Sequence, residues 1–156
     1  MGNIKARFNI DALFNKIDKK LRPVIPQVVA EAMAKTCLEV TAMAKELNTY
    51  KDQTNNLRSS IGYVIYDHGE KVAEYFEKSG LGKGSGAAGI ARGKAVANEA
   101  AKTYPKETVG VLVAGEYYAL FVESKGYDVL TGPSLKLQSI FEKNLKIAFD
   151  ALNIEL

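Results

Sequence analysis

The sequence has one cysteine, one histidine and no tryptophan among its 156 residues. The single cysteine, Cys37, excludes an intrachain disulfide and any zinc site built from several thiolates. It lies within an apolar helical pattern, so we expect a buried, unreactive thiol. The one imidazole, His68, has no histidine or glutamate at helical spacing, which disfavours a helix-borne metal site. The sequence therefore predicts neither a disulfide nor a bound metal.

Long apolar runs are also missing. No run reaches the ~20 residues that cross a bilayer, and the first seven residues contain no apolar signal core. We therefore expect no membrane segment and a cytoplasm-like compartment. The net charge is +3, from 21 basic and 18 acidic residues, and this even balance argues against a dedicated nucleic-acid-binding protein.

The apolar residues present indicate one domain that spans residues 1–156 and contains long helices. Helical spacing of apolar residues predicts a short helix over Asp11–Leu21 and a longer helix over Pro26–Leu47. The apolar stripe of the longer helix consists of Val29, Met33, Cys37, Val40, Ala44 and Leu47. Near the end of the chain, Pro133 is a favourable first helical residue, and a long helix is expected to continue to about Leu152.

Alternating residues predict strands in the middle of the chain. The pattern from Ile61 predicts a strand, Asp67–Glu70 a hairpin turn, and Lys71–Phe76 the returning strand. Val109–Ala114 is the clearest strand, and Tyr117–Ser124 is expected to continue the sheet after a bend. The predicted class is α+β, with a small, mainly antiparallel sheet of about four strands packed on one face against long N- and C-terminal helices.

Residues 79–93 contain six glycines, which predicts a flexible loop, and a helix over Ile90–Lys102 should follow. Gly84, Gly86 and Gly89 have the spacing of a dinucleotide-binding loop. The loop does not directly follow a parallel strand, which disfavours that interpretation. A small nucleotide- or anion-binding enzyme that uses residues 80–93 stays open as the alternative function. Three cations around the loop could attract an anion: Lys83, Arg92 and Lys94.

Two carboxylates, Glu116 and Glu123, flank a tyrosine-rich segment. Paired-carboxylate catalysis needs both groups to face one cleft, whereas an odd separation along a strand places them on opposite faces. A salt bridge or an interface contact is therefore expected for each. His68 is expected to serve the hairpin turn, because a general base also needs a nearby nucleophile. No catalytic residue is predicted.

Two segments of the sequence, residues 109–129 and 54–61, match the pattern of a known protein family. In Val109–Val129 a hydrophobic strand ends in glycine and is followed by Tyr-Ala, Val-Glu and a second glycine, at Val113, Gly115, Tyr118, Ala119, Val122, Glu123 and Gly126. Residues 54–61 read Thr-Asn-Asn-Leu-Arg-Ser-Ser-Ile, with Asn55 at a position where glycine is usual in the pattern. The sequence thereby resembles the tail-component family of tailed bacteriophages and prophages, typified by a lambdoid minor tail or head–tail joining protein.

The resemblance implies a structural, non-enzymatic neck or tail-completion protein, located in the virion and in the host cytoplasm during assembly. It implies a homo-oligomeric ring, expected to be six-fold, that contacts other phage head and tail proteins and needs no cofactor. Tyrosine is favoured at interfaces, so we expect the aromatic side chains to contact a neighbouring subunit; internal packing of all of them is the alternative. The proposed interface residues are Tyr117, Tyr118, Phe121, Glu123, Tyr127, Leu57 and Arg58.

Overall fold

The computed structural model describes residues 2–9 and 23–152. Four strands form one sheet: β1 (Ile4–Asn9), β2 (Ile61–Asp67), β3 (Glu70–Phe76) and β4 (Thr108–Ala114). The described part of the chain also contains six helices: α1 (Ile25–Glu46), α2 (Asn56–Ser59), α3 (Ala87–Ala101), α4 (Ala119–Ser124), α5 (Thr131–Ser134) and α6 (Leu137–Ala151). The predicted α+β class is confirmed. The helix predicted over Asp11–Leu21 lies outside the described residues.

The sheet is antiparallel and has the strand order β1-β4-β2-β3. β4 is a central strand whose last residue, Ala114, lies opposite Ile4 of β1 and Ile61 of β2. All seven residues of β4 are buried, which explains its continuous apolar sequence. β2 and β3 form the predicted hairpin, and the positive φ values of His68 (49°) and Gly69 (87°) suit a two-residue turn.

The fourth strand is not the predicted one. We expected residues 117–124 to join the sheet, but they contain helix α4, and the strand beside β4 is β1 at the N-terminus. β1 alternates apolar Ile4 and Ala6 with basic Lys5 and Arg7, a strand pattern that is short and therefore weak. Strand preference depends strongly on tertiary contacts, and β1 is stabilised as a strand because it pairs with the buried β4.

Helices cover both faces of the sheet, whereas the sequence predicted one covered face. On the first face, Ile65 and Leu112 belong to an apolar core shared with α1 and α6. On the second face, Val64, Val111 and Val113 pack against α3. Successive residues of β2 and β4 thus point into two separate apolar layers, so neither strand shows the polar-out alternation of a half-exposed strand.

The long helix α1 begins and ends one residue before the predicted bounds. Burial raises the pKa of the Cys37 thiol, which keeps it protonated and unreactive, as expected. Between α1 and α6, Asn144 Nδ2 donates hydrogen bonds to Thr36 Oγ1 and Glu39 Oε1, each at 3.1 Å. These buried polar contacts fix how the two helices align.

The C-terminal helix begins later than predicted. Pro133 lies in the short α5, and the long α6 starts at Leu137. The Lys136 N–H donates to the Pro133 carbonyl at 3.0 Å, a tighter turn than the α-helical spacing, and this turn separates the two helices. Five large apolar residues of α6 are buried in the core, at Leu137, Ile140, Phe141, Leu145 and Phe149. Leu152, where the helix was expected to end, is exposed.

Helix α3 begins at Ala87, so residues 87–93 of the predicted loop are helical. One side of α3 presents small residues at every fourth position, namely Gly89, Gly93, Ala97 and Ala101. They let the helix lie directly on the backbone that precedes β2. A Cβ added at Gly89 would lie 2.1 Å from the carbonyl oxygen of Asn56, and one at Gly93 would lie 2.5 Å from that of Ser60.

We expect Gly89→Ala to destabilise the protein by about 1–3 kcal/mol, because the methyl group overlaps backbone that has little room to move. This loss should outweigh the gain in helix propensity of about 1 kcal/mol. Gly80→Ala is the matched control, since no atom lies within 4 Å of its added Cβ, and it should change stability by less than about 0.5 kcal/mol. Urea unfolding compares the two, and equal stability would contradict the close packing of α3.

Candidate functional site

The chain turns away from the sheet immediately after β4. The Gly115 N–H donates to the carbonyl oxygen of Ser60 at 3.1 Å, and the Glu116 N–H donates to Ser60 Oγ at 3.1 Å. A Cβ at Gly115 would lie 2.5 Å from Cα of Gly93 on α3, so only glycine fits at this crossing. These contacts end the strand and start the turn into α4, which is why the strand predicted over 117–124 does not form.

This turn and α4 expose a set of large side chains, here called the aromatic face. Its members are about half exposed: Tyr117 (56%), Leu120 (51%), Phe121 (47%) and Tyr127 (49%). Tyr118 is instead partly buried against the core and packs edge-on against Tyr117, with ring centroids 5.2 Å apart. Burial raises the pKa of the Tyr118 phenol. Sequence reasoning identified the three exposed aromatic residues and missed Leu120, whose helical position became visible only with α4.

Glu123 organises the chain after α4. Its Oε1 accepts hydrogen bonds from the backbone N–H groups of Val129, Leu130 and Thr131 at distances of 2.7–3.1 Å, and its Oε2 accepts one from the Thr131 hydroxyl. Burial alone would raise the pKa of this carboxyl, but the hydrogen bonds bring it below its ordinary value. The oxygens of Glu123 therefore hold the backbone of residues 129–131 in place. They are not available for the interface contact proposed from the sequence.

Glu116 is fully buried, and its Oε1 accepts a hydrogen bond from Nη1 of Arg92 at 2.6 Å. The salt bridge expected for Glu116 is therefore confirmed. Glu116 and Glu123 have separate partners, and none of the contacts of the described residues joins them. The paired-carboxylate mechanism that the sequence disfavoured has no geometric support.

Leu57 and Arg58, both proposed as interface residues, lie inside the protein, with exposures of 2% and 3%, and present almost no surface to a neighbouring subunit. Arg58 Nη2 donates to the carbonyl oxygens of Leu47 at 2.7 Å and Tyr50 at 3.1 Å. Its backbone N–H donates to Asp52 Oδ2 at 2.8 Å. The guanidinium also lies 4.5 Å from the centroid of the Tyr50 ring. Arg58 thus ties the loop after α1 to helix α2.

A groove of about 820 Å³, here called the α4 groove, lies between α4 and the loop after α1. This volume falls within the range of ligand-binding pockets. Its lining side chains include Tyr50, Lys51, Asp52, Arg58, Leu81, Phe121, Val122, Lys125 and Tyr127. Phe121 and Tyr127 line the α4 groove and also belong to the aromatic face, so the two surfaces are continuous. Sequence reasoning did not predict the groove, because its two walls are separated by some seventy residues of chain.

The groove is lined by three cationic side chains and one carboxylate. The carboxylate, Asp52, already accepts a hydrogen bond from the Arg58 backbone. Lys51 and Lys125 are exposed and form no ion pair with any described residue. The Lys125 ammonium lies 5.1 Å from the centroid of the Phe121 ring. The lining is therefore electropositive beside an apolar wall.

Two polar groups beneath the groove have no hydrogen-bond partner among the described residues, the Tyr50 hydroxyl and the Nε–H of Arg58. A buried polar group left in this state costs about 1–3 kcal/mol. Burial raises the pKa of the Tyr50 phenol, and the charge of Arg58 only partly offsets this effect. The hydroxyl therefore stays protonated at neutral pH and can donate or accept a hydrogen bond.

The glycines of the dinucleotide-like run face the protein rather than an open cradle. A Cβ at Gly84 would lie 2.2 Å from the carbonyl oxygen of Thr54, and the Gly89 N–H donates to Asn56 Oδ1 at 3.2 Å. A pyrophosphate would need this backbone surface and the Gly89 amide to be free. The nucleotide-binding alternative thereby loses the observation on which it was based.

Two of the three cations near the glycine loop are already engaged. Arg92 pairs with Glu116, and the Lys94 ammonium lies 3.1 Å from a carboxylate oxygen of Glu74. Lys83 is exposed and has no ion-pair partner among the described residues. A cluster of cations around the loop, which an anion site would need, is therefore not formed.

His68 occupies the predicted turn between β2 and β3. Its Nδ1 lies 2.7 Å from Asp67 Oδ1, and the same oxygen accepts a hydrogen bond from the Thr108 hydroxyl at 2.7 Å. These contacts tie the turn to the start of β4, as expected for a structural role. Within the described ranges no group of three or more His, Cys, Asp or Glu side chains is placed to hold a metal ion.

Comparisons with protein-family models, curated proteins and solved structures find no match for this chain. None of the helices that the structure describes is both long and apolar enough to cross a membrane. Function is therefore inferred from the aromatic face and the α4 groove, together with the resemblance of the sequence to phage tail components.

Asn55 anchors the glycine loop. It adopts a left-handed φ of 63°, as expected for asparagine where glycine is usual in the pattern. Its Nδ2 donates to the carbonyl oxygens of Gly82 at 2.9 Å and Gly84 at 2.7 Å, and its Oδ1 accepts from the Gly82 N–H. The amides of Gly80 and Ser85 have no partner among the described residues. The mobility predicted for the glycine loop should therefore be greatest at residues such as Gly80 and Ser85, whose amides are not held.

We predict that Asn55→Gly loosens the glycine loop without unfolding the protein, because glycine accepts the left-handed backbone but lacks the amide that binds the loop. Hydrogen exchange should be at least about tenfold faster at Gly82 and Lys83, given that a lost hydrogen bond is worth about 1 kcal/mol or more. Exchange in β2 and β4 should not change. In the unaltered protein, Gly80 and Ser85 should already exchange quickly, and strong protection there would contradict the account.

Proposed function

We propose that this chain is a structural subunit of a tailed-phage or prophage particle, located at the tail or the head–tail junction, and that it assembles into a ring. The observation that carries the proposal is the aromatic face, which places four large apolar side chains at about half exposure on one short segment. Exposed apolar patches of a few hundred Å² on soluble proteins are often interaction sites. Tyrosine and phenylalanine are also the residues enriched at protein interfaces.

The geometry of α4 supports an interface. Leu120 and Phe121 are adjacent on α4, and Tyr117 lies in the turn directly before this helix. Four half-exposed side chains of this size offer roughly 400 Å² of contact surface. A stable interface buries about 800 Å² on each partner. The aromatic face therefore supplies the centre of an interface that must extend onto neighbouring surface.

The residues that carry the resemblance have identifiable local roles, which supports treating them as a structural pattern. Gly115 permits the crossing with α3, and Ala119 is buried at the start of α4. Glu123 binds the backbone before α5, and Gly126 adopts a φ of 88° that favours glycine. In a family of structural proteins, we expect the shared residues to be those that fix the path of the backbone, and not a set of catalytic groups.

A ring requires that one surface of each subunit binds a different surface of the next, and closure depends on the rotation between them. In the proposed particle the chain catalyses no reaction and needs no cofactor. Its partners are further copies of itself, in a ring expected to be six-fold, and other head and tail proteins. It is located in the virion, and in the host cytoplasm during assembly.

The double variant Tyr117→Ala/Leu120→Ala should weaken self-association at least about tenfold, since removing two large side chains from an interface core commonly costs more than 1 kcal/mol each. Sedimentation velocity over a concentration series measures the effect, and negative-stain electron microscopy shows whether the assembled species is a ring. Val72→Thr is the control, because Val72 is equally exposed but lies on β3. A protein that stays monomeric at every concentration, or associates equally in all three forms, would contradict the proposal.

A further inference from the structure

We propose that the α4 groove binds an extended acidic peptide segment of a partner protein, with the carboxylates of the segment on Lys51 and Lys125 and its apolar side chains against Phe121 and Val122. This inference does not require the ring. It assigns a second binding function to a groove that shares Phe121 and Tyr127 with the aromatic face.

Charge complementarity selects an acidic ligand. The groove carries Lys51, Arg58 and Lys125 against the single carboxylate of Asp52. That carboxylate accepts the Arg58 N–H, and the nearby carboxylate of Glu123 is occupied by the backbone before α5. The ammonium groups of both lysines are free of ion pairs within the described part of the chain. The charge of Asp128 also reaches the Tyr50 hydroxyl, and its carboxylate accepts the Gly132 N–H. A ligand carboxylate would therefore bind through the two ammonium groups that have no ion-pair partner.

The apolar wall selects a peptide over a small anion. Phe121, Val122 and Tyr127 from α4 and the turn after it, and Leu81 from the glycine loop, line the same groove. An inorganic anion would leave this wall uncovered. A segment that alternates acidic and apolar residues presents both kinds of side chain within a few residues, because successive side chains of an extended chain point to opposite sides.

The floor of the groove is fixed by contacts within the protein. The Tyr50 hydroxyl and the Arg58 Nε–H are unpartnered among the described residues and are closed off from solvent. Arg58 is held from behind by the carbonyl oxygens of Leu47 and Tyr50, so its position does not depend on a ligand. The peptide is therefore expected to contact the two lysine ammonium groups and the apolar wall rather than these buried donors.

The probe is a blocked pentapeptide, acetyl-Leu-Glu-Leu-Glu-Leu-amide, compared with the same peptide in which glutamine replaces both glutamates. Calorimetric titration should show several-fold tighter binding of the glutamate peptide, the ratio expected when two exposed charge pairs act together. Amide shifts in a two-dimensional NMR titration should cluster at Lys51, Phe121 and Lys125. Equal binding of the two peptides, or shifts clustered elsewhere, would overturn the proposal.

Three variants separate the groove from general electrostatics. Lys51→Glu/Lys125→Glu should lower affinity for the glutamate peptide at least about tenfold. Lys35→Glu/Lys106→Glu changes the net charge equally at exposed positions outside the groove, and it should change affinity less than about twofold. Tyr50→Phe removes a hydroxyl that is unpartnered and closed off from solvent, so it should leave both binding and the melting temperature unchanged. Unchanged binding in the first variant would overturn the assignment.

The same variants distinguish this inference from the proposed ring. Lys51→Glu/Lys125→Glu should leave self-association unchanged, and Tyr117→Ala/Leu120→Ala should leave peptide binding unchanged. If the lysine variant instead abolishes self-association, the occupant of the groove is a second copy of this chain, and the proposal of a separate partner is wrong. Failure of the chain to self-associate would end the ring proposal while leaving the peptide measurement intact.

Discussion

Close backbone contact between glycines and the segment that precedes β2 is the constraint on which the rest of the structure depends. An added Cβ at Gly84 or Gly89 would lie within 2.2 Å of a carbonyl oxygen in residues 54–56, and one at Gly115 would lie 2.5 Å from Cα of Gly93. A helix can lie this close to neighbouring backbone only where side chains are missing. The glycines whose spacing suggested a phosphate-binding loop therefore allow close packing. They let the loop, α3 and the end of β4 contact one another through their backbones.

This packing positions both candidate surfaces. Because α3 crosses directly over Gly115, β4 ends there and the chain turns into α4, which exposes the aromatic face. Because residues 52–58 are fixed against the glycine loop, Arg58 stays buried and Tyr50 and Lys51 form the wall opposite α4. The exposed aromatic residues and the free lysines are thus held on a rigid support, although they lie in short helices and turns. Pre-organised side chains of this kind lose little freedom on binding.

Much of the fold could be predicted from the sequence, because its longest elements carry strong periodic patterns. Helix α1, the β2–β3 hairpin and β4 followed from local spacing, whereas the left-handed backbone at Asn55 was expected from the resemblance, in which glycine is usual at that position. The strand expected over 117–124 was wrong because the spacing of its apolar residues is also compatible with a helix, and only the contact at Gly115 decides between them. Tyr117 and Phe121 were recognised as exposed, whereas the buried state of Arg58 and the existence of the groove depend on contacts between segments distant in sequence.

The central claim is that the aromatic face is an assembly surface, and site-specific photo-crosslinking tests it most directly. A benzophenone amino acid placed at Tyr117 should form covalent dimers and higher species on irradiation at concentrations where the protein associates. The same group placed at Ala95, which is exposed on α3, should give far fewer. Mass spectrometry of the products identifies the partner segment, and a contact outside the aromatic face is expected for a ring. Crosslinks confined to single chains, or equally frequent from both positions, would contradict the account.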